Sequence, residues 1–264
     1  MLSRHGWKVQ LIPWDYASGE QITRLFDQRV ACGWRADEVP SYIESARKGG
    51  RTFYWVTLAD DLSDRDRLLE THAKQYPKEA TPIKDTAQAV RLLPRQPSGK
   101  TFIPIGHLAL ETHAAEEDTK LGLASEGAVW IHQLYISHAL QRGGFGAGAM
   151  DLIEAVAAEK PWNATMVVLD TIQEEMQLSS DGIKHMYVDR GVPVPKVGEL
   201  NALPANLGNH QMMNCESQVS TQGWYARRGY EVFLRAKQGY VWNYGSGTIA
   251  FDIAYMRKLV ARVR

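Results

Sequence analysis

Apolar and polar positions alternate from Lys8 to Ile12 and stop at Pro13, which predicts a short first strand. Helical spacing follows over Glu20–Ala31, where Ile22, Leu25, Phe26 and Val30 recur on one face and Gly33 supplies the stop. A second short helix is predicted from Pro40 to Lys48, closed by a Gly49-Gly50 turn. Thr52–Ala59 is aromatic and β-branched and reads as a strand; Phe102–Glu111 is the next, interrupted by Pro104, and Val129–Ile136 another. The period then changes. A glycine-rich turn, Gln141–Gly146, leads into a helix through Glu159, with Met150, Ile153, Val156 and Ala157 at helical spacing. Met166–Thr171 reads as a strand, Gln218–Arg228 as a helix, Tyr230–Arg235 as a strand and Ile249–Met256 as the closing strand. The pattern predicts an α/β protein with a mixed central sheet flanked by helices.

Two stretches break the alternation. Residues 60–100 are charged early and punctuated by Pro77, Pro82, Pro94 and Pro97, with a helical pattern only near Arg67–Gln75. Residues 173–213 hold Pro193, Pro195 and Pro204 among scattered glycines. The first lacks enough apolar residues for a core of its own. The expectation is one domain over 1–264 with a surface insertion at 60–100 and a second insertion at 173–213.

Composition narrows the partners. With 30 basic and 30 acidic residues the chain has no net charge, which argues against nucleic acid or an anionic membrane as its main partner. No apolar run approaches the roughly 20 residues needed to cross a bilayer. The first ten residues carry Arg4 and Lys8 without the apolar stretch of a secretory signal, and the 2 cysteines, Cys32 and Cys215, make no disulfide framework. These features fit a cytoplasmic protein, monomeric or homodimeric. His107, His113, His132 and His138 show no metal-ligand spacing, so no metal is expected.

The chemistry concentrates in Val129–Ala147. Trp130, Leu134 and Ile136 fall on one face of the strand and Val129, Ile131 and Tyr135 on the other, the pattern of a strand buried on both sides. It runs through three glycines directly into a helix. Glycines allow positive φ and close approach of a ligand, and successive N–H groups at a helix start form an anion site suited to a pyrophosphate. A dinucleotide fingerprint fits Gly144, Gly146 and Ala149 only loosely, and the Gly-Lys-Ser/Thr ending of a P-loop is absent.

The run Gln141-Arg142-Gly143-Gly144-Phe145-Gly146 instead fits Q/R-x-x-G-x-G/A, and with it the sequence resembles the GCN5-related N-acetyltransferase (GNAT) superfamily. Gly223-Trp224-Tyr225-Ala226-Arg227-Arg228-Gly229-Tyr230 looks like that family's second signature. The family order is strand, helices, three strands, pyrophosphate helix, strand, tyrosine-bearing helix and two closing strands. The predicted elements from Lys8 to Met256 supply each in turn.

The resemblance implies acetyl-CoA as cosubstrate and direct transfer to a primary amine; the chain has no acidic excess to draw a cationic histone-type acceptor, which favours a small molecule. It implies that Gln141, Arg142, Gly143, Gly144, Phe145, Gly146 and Ala147 hold the pyrophosphate. Leu134, Tyr135 and Ile136 would pair with the pantetheine arm, the Leu134 or Tyr135 amide polarising the thioester carbonyl. An aliphatic amine near pKa ~10 is mostly protonated at neutral pH, so a base is needed. His132, polar in an apolar strand, is one candidate; arylalkylamine acetyltransferases place a histidine there. Trp130 stands where those enzymes can carry a second histidine. Glu111 at the end of the preceding strand is the alternative base, with water a third route. Tyr225 is the implied general acid for the departing thiolate. The competing readings are a catalytically inactive GNAT-fold protein that binds CoA or a metabolite, and an acetyltransferase acting on peptide or protein lysines.

Overall fold

The computed structural model describes residues 7–124, 126–188, 220–244 and 247–261. Its elements are β1 (Val9–Pro13), α1 (Gly19–Cys32), α2 (Val39–Arg47), β2 (Arg51–Leu58), α3 (Arg65–Gln75), β3 (Gly106–Glu111), α4 (Ala115–Lys120), β4 (Ala128–Ile136), α5 (Phe145–Ala158), β5 (Met166–Ile172), α6 (Glu174–Gln177), α7 (Ser180–Met186), α8 (Thr221–Arg227), β6 (Glu231–Tyr244) and β7 (Gly247–Leu259). The chain divides into two compact units, Met1–Val167 with Leu259–Arg264, and Val168–Lys258. Within the first unit the strands follow the order β1-β2-β3-β4, and within the second β5-β7-β6; the expected succession of strands and helices along the chain is the one found. Two further pairs of two-residue strands, Ile83–Lys84 with Thr101–Phe102 and Ala89–Val90 with Leu93–Pro94, lie between β2 and β3 in the chain.

In the first unit β1, β2, β3 and β4 pair antiparallel, with Trp55 opposite both Ile12 and His107. One sheet face buries Ile12, Phe53 and Trp55 against Leu25 of α1 and Tyr42 of α2. Trp55 and Trp130 are the largest fully buried side chains, and truncating either to alanine would cost about 3–5 kcal/mol. Ser18 caps α1 by accepting the Gln21 N–H, and Gly33, at φ 79°, ends it. On the opposite face α5 approaches β1 so closely that a Cβ on Gly148 would lie 3.1 Å from Val9.

The buried face of α1 differs from the expected one. Gln21, Arg24, Leu25, Gln28 and Arg29 are buried, while Phe26 and Val30 are 46% and 56% exposed. The polar side chains turn inward because the stretch after β2 gives them partners. Gln21 donates to the Lys84 carbonyl and accepts from the Trp55 indole, and Arg24 donates to the carbonyls of Glu79 and Thr81. Buried polar groups so satisfied avoid the desolvation penalty.

The stretch 60–100 is accordingly not all surface. His72, Glu79, Ile83, Asp85 and Ala87 are buried, and Ile83 belongs to the core cluster that contains Trp55. Burial alone would raise the Asp85 pKa, but a two-pronged Arg95 contact at 2.6 and 2.7 Å and two Ser98 hydrogen bonds outweigh it and hold the carboxyl below its ordinary value.

In the second unit β6 and β7 form an antiparallel hairpin longer than expected, interrupted by register shifts after Val232 and Ala236. Ser220 caps α8 by accepting the Gly223 N–H at 2.8 Å. Gln177 of α6 accepts the Thr221 N–H at 2.8 Å, tying the start of the 173–213 stretch to α8. Residues 189–213, Cys215 and the expected helix start at Gln218 lie outside the described residues.

Candidate active site

β4 does not keep one register. His107 pairs with Tyr135 and Ala109 with His132, so Gln133 and Leu134 together oppose Leu108. Gln133 takes φ 51°, and the extra residue makes a β-bulge. The bulge reverses the expected facing of the strand's second half. Tyr135, not Leu134, shares a face with Trp130 and His132, and its ring meets that of His107 at 5.4 Å. Tyr135 and Ile136 are buried and Leu134 half-buried. A ligand edge could therefore meet Tyr135 and Ile136 mainly through backbone.

His132 and Glu111, read as alternatives from sequence, are neighbours. His132 Nε2 lies 3.7 Å from Glu111 Oε2, and both side chains are about 15% exposed. Arg51, paired with Glu111 across β2 and β3, donates to the same oxygen through Nε at 2.9 Å and through Nη2. The carboxylate is therefore fixed between a guanidinium and an imidazole rather than solvated.

His113 completes the group. Its ring stacks on Trp130 at 4.3 Å and on His132 at 5.6 Å, and Trp130 donates its indole N–H to Asp118 at 2.9 Å. Burial lowers the His113 pKa, the nearby His132 adds to the effect, and Glu111, Asp118 and Glu117 oppose it. Glu111, His113 and His132 bring potential metal-binding atoms within 4.8 Å of one another, a grouping the sequence spacing conceals. The two histidine rings lie 17° from parallel, and Arg51 already holds one oxygen of the Glu111 carboxylate. His107 and His138 are elsewhere: His107 is fully buried against Gln28, and His138 contacts Gln141.

Beyond β4 comes Ser137, a 3-10 turn at His138–Leu140, and the glycine loop. Arg142 and Gly144 take φ 71° and 82°, and Gly144 starts α5 with no side-chain cap. The first N–H groups of α5, from Phe145, Gly146 and Ala147, are thus left without a capping side chain at the positive end of the helix dipole. The Phe145 ring itself is buried, so its contribution to an anion site would be its amide. Gln141 donates its side-chain amide to the Ile136 carbonyl, bracing the loop.

A cleft of about 280 Å³ opens here, lined by Gln141, Gly143 and Phe145 on one side and by Lys8, Arg67 and Thr71 on others. Lys8 Nζ donates to the Gly143 carbonyl at 3.1 Å. Sequence reading missed both cations, because nothing in the local pattern links Lys8 or Arg67 to residue 143.

In the second unit Tyr225 lies on α8, half-buried, its ring edge-on to Trp224 and Tyr230 at 4.9 and 5.7 Å. Burial pushes its phenol pKa up, Asp170 adds to this, and Arg228 opposes it. The phenol therefore keeps its proton well into the alkaline range.

No family model matches the chain, and no curated protein does. Among solved structures the chain is similar to a Desulfovibrio desulfuricans protein assigned to the GNAT acetyltransferases (12% identity, 96% of this chain and 99% of that one covered, TM-score 0.47). It is also similar to Arabidopsis thaliana NAA60 in complex with acetyl-CoA (9%, 95% and 98%, 0.47) and to an aminoglycoside 6'-N-acetyltransferase complexed with coenzyme A (11%, 97% and 99%, 0.47). Identities this low transfer no residue roles. No described helix is long and apolar enough to cross a membrane.

Proposed function

We propose that this chain is an N-acetyltransferase of the GCN5-related type, transferring the acetyl group of acetyl-CoA to a primary amine of a small molecule. The observation that carries the reading is the continuity of β4 with α5. A strand bulged at Gln133 and Leu134 passes through a positive-φ loop into an uncapped helix start, beside a cleft whose lining includes Lys8 and Arg67. The bulge frees backbone for the pantetheine amides, and the loop and helix offer N–H groups to the pyrophosphate.

In this reading the amine lone pair attacks the thioester carbonyl, whose developing oxyanion meets the Leu134 or Tyr135 amide. His132 removes the amine proton, and Glu111, itself held by Arg51, orients the imidazole and stabilises its charged form. The C–S bond breaks and Tyr225, which holds its proton by burial, donates it to the thiolate.

Thiol release from acetyl-CoA, measured over polyamines, arylalkylamines, aminosugars and basic peptides, tests the proposal. Turnover with a small amine supports it, and preference for peptides would move the substrate to protein lysines. A CoA-dependent rise in melting temperature without turnover would favour a binding protein. Gly144→Glu should remove that rise, because a carboxylate and a strained Cβ at φ 82° would stand where phosphate binds.

A further inference from the structure

The 60–100 stretch builds one wall of the cleft at the glycine loop. α3 brings Arg67 and Thr71 to it, and Lys8, the residue before β1, lies beside it. The position of α3 is not incidental. His72, on the same helix, meets Ser137 through Nδ1 and Oγ at 2.8 Å, and both residues are fully buried. His72 Nε2 lies 3.4 Å from Glu79 Oε2, and Gln28 donates to that same oxygen at 2.7 Å. Ser137 is the residue between β4 and the turn that leads into the loop. A buried hydrogen-bonded chain thus fixes α3 against the root of the loop, and Arg67 projects from a rigid support.

Arg67 is paired in the cleft with Asp64 at 2.6 Å, both side chains well exposed at 68% and 42%. An exposed pair of this kind is worth little, so exchanging the carboxylate for a phosphate oxygen costs little. A guanidinium presents a fork that suits phosphate, and a phosphate dianion is the stronger partner. Lys8, already on the Gly143 carbonyl, is a second cation at the loop itself.

We propose that Arg67 and Lys8 divide the phosphates of the cosubstrate, Lys8 serving the pyrophosphate at the loop and Arg67 the separate 3'-phosphate of its adenosine. This rests on the acetyl-CoA reading above. It makes α3 a recognition element for 3'-phosphorylated nucleotide thioesters.

Calorimetric titration of the full chain with CoA and with dephospho-CoA, at low ionic strength where exposed charges are least screened, tests it. The parent should bind CoA about tenfold tighter than dephospho-CoA. Arg67→Gln should lower CoA affinity to the dephospho-CoA level and leave dephospho-CoA binding unchanged. Lys8→Gln should weaken both ligands alike, and Asp64→Asn, which removes the competing carboxylate, should tighten CoA alone. All three side chains are exposed enough that folding should survive, checked by melting temperature. Equal binding of the two ligands by the parent, or an Arg67→Gln variant that still tells them apart as the parent does, overturns the assignment while the acetyl-CoA reading stands. A parent that binds neither ligand overturns both.

Discussion

His132 Nε2 faces Glu111 Oε2 at 3.7 Å across the β3–β4 pair, and the same oxygen is gripped by Arg51 from β2. Three adjacent strands thereby contribute one residue each to a single charged contact. If His132 is the base and Glu111 acts through it, the two substitutions should not add. His132→Ala should lower kcat/KM by roughly 10²-fold or more. Glu111→Gln should cost less, and the double variant should fall no further than His132→Ala. Steady-state kinetics of the three variants checks this; additive losses would mean that Glu111 takes the proton independently.

Acid should destabilise the fold through buried neutral histidines. Burial holds the His107 pKa well below its ordinary value of 6.5, with Arg29 adding to the effect, and its Nδ1–H is committed to Gln28 Oε1 at 2.8 Å. His113 is shifted the same way. Below pH ~6.5 the unfolded chain takes up protons that the folded chain refuses, so stability falls as pH falls from there toward the folded-state values. Denaturant midpoints should drop between pH 7 and pH 5, and His107→Gln should show a shallower drop over that window.

Much of the scaffold was legible because β2 and β4 are rich in apolar, aromatic and β-branched residues on both faces, and because Gly33 and Gly144 sit where positive φ is required. What escaped detection depended on partners distant in the chain. The bulge turns on Gln133 at φ 51°, a conformation that glutamine does not advertise, and it inverted the expected facing of Leu134 and Tyr135. The inward turn of Gln21, Arg24 and Gln28 on α1 was illegible, since these residue types mark a solvated face until carbonyls from 79–84 arrive to bind them. His113 lies two residues past Glu111, yet its place over Trp130 and His132 needs the β3–β4 register. The patterns at Gln141–Ala147 and around Tyr225, by contrast, are local, and so these residues could be put forward as candidates without knowledge of any distant partner.

Chelation separates two uses of the same side chains. Glu111, His113 and His132 are close enough for a cation, but the proposed chemistry needs His132 with a free lone pair. Turnover should be unchanged after exhaustive treatment with EDTA and dialysis. A loss restored by zinc and not by magnesium would instead make the trio a metal centre and remove His132 as base.

Tyr225 offers a test through its neighbour. Its phenol is held protonated by burial first and by the Asp170 carboxylate second. If it protonates the departing thiolate, activity should show no loss on the alkaline side up to pH ~10, where an ordinary tyrosine titrates. Tyr225→Phe should lower kcat by about 10–10²-fold while CoA affinity is kept, since the phenol acts on the leaving group. Asp170→Asn removes a negative charge that disfavours the phenolate, so its pKa must fall and an alkaline limb should move down toward neutrality. Parent-like profiles in both variants would leave the thiolate to depart without help from Tyr225, and would reduce its ring to packing against Trp224 and Tyr230.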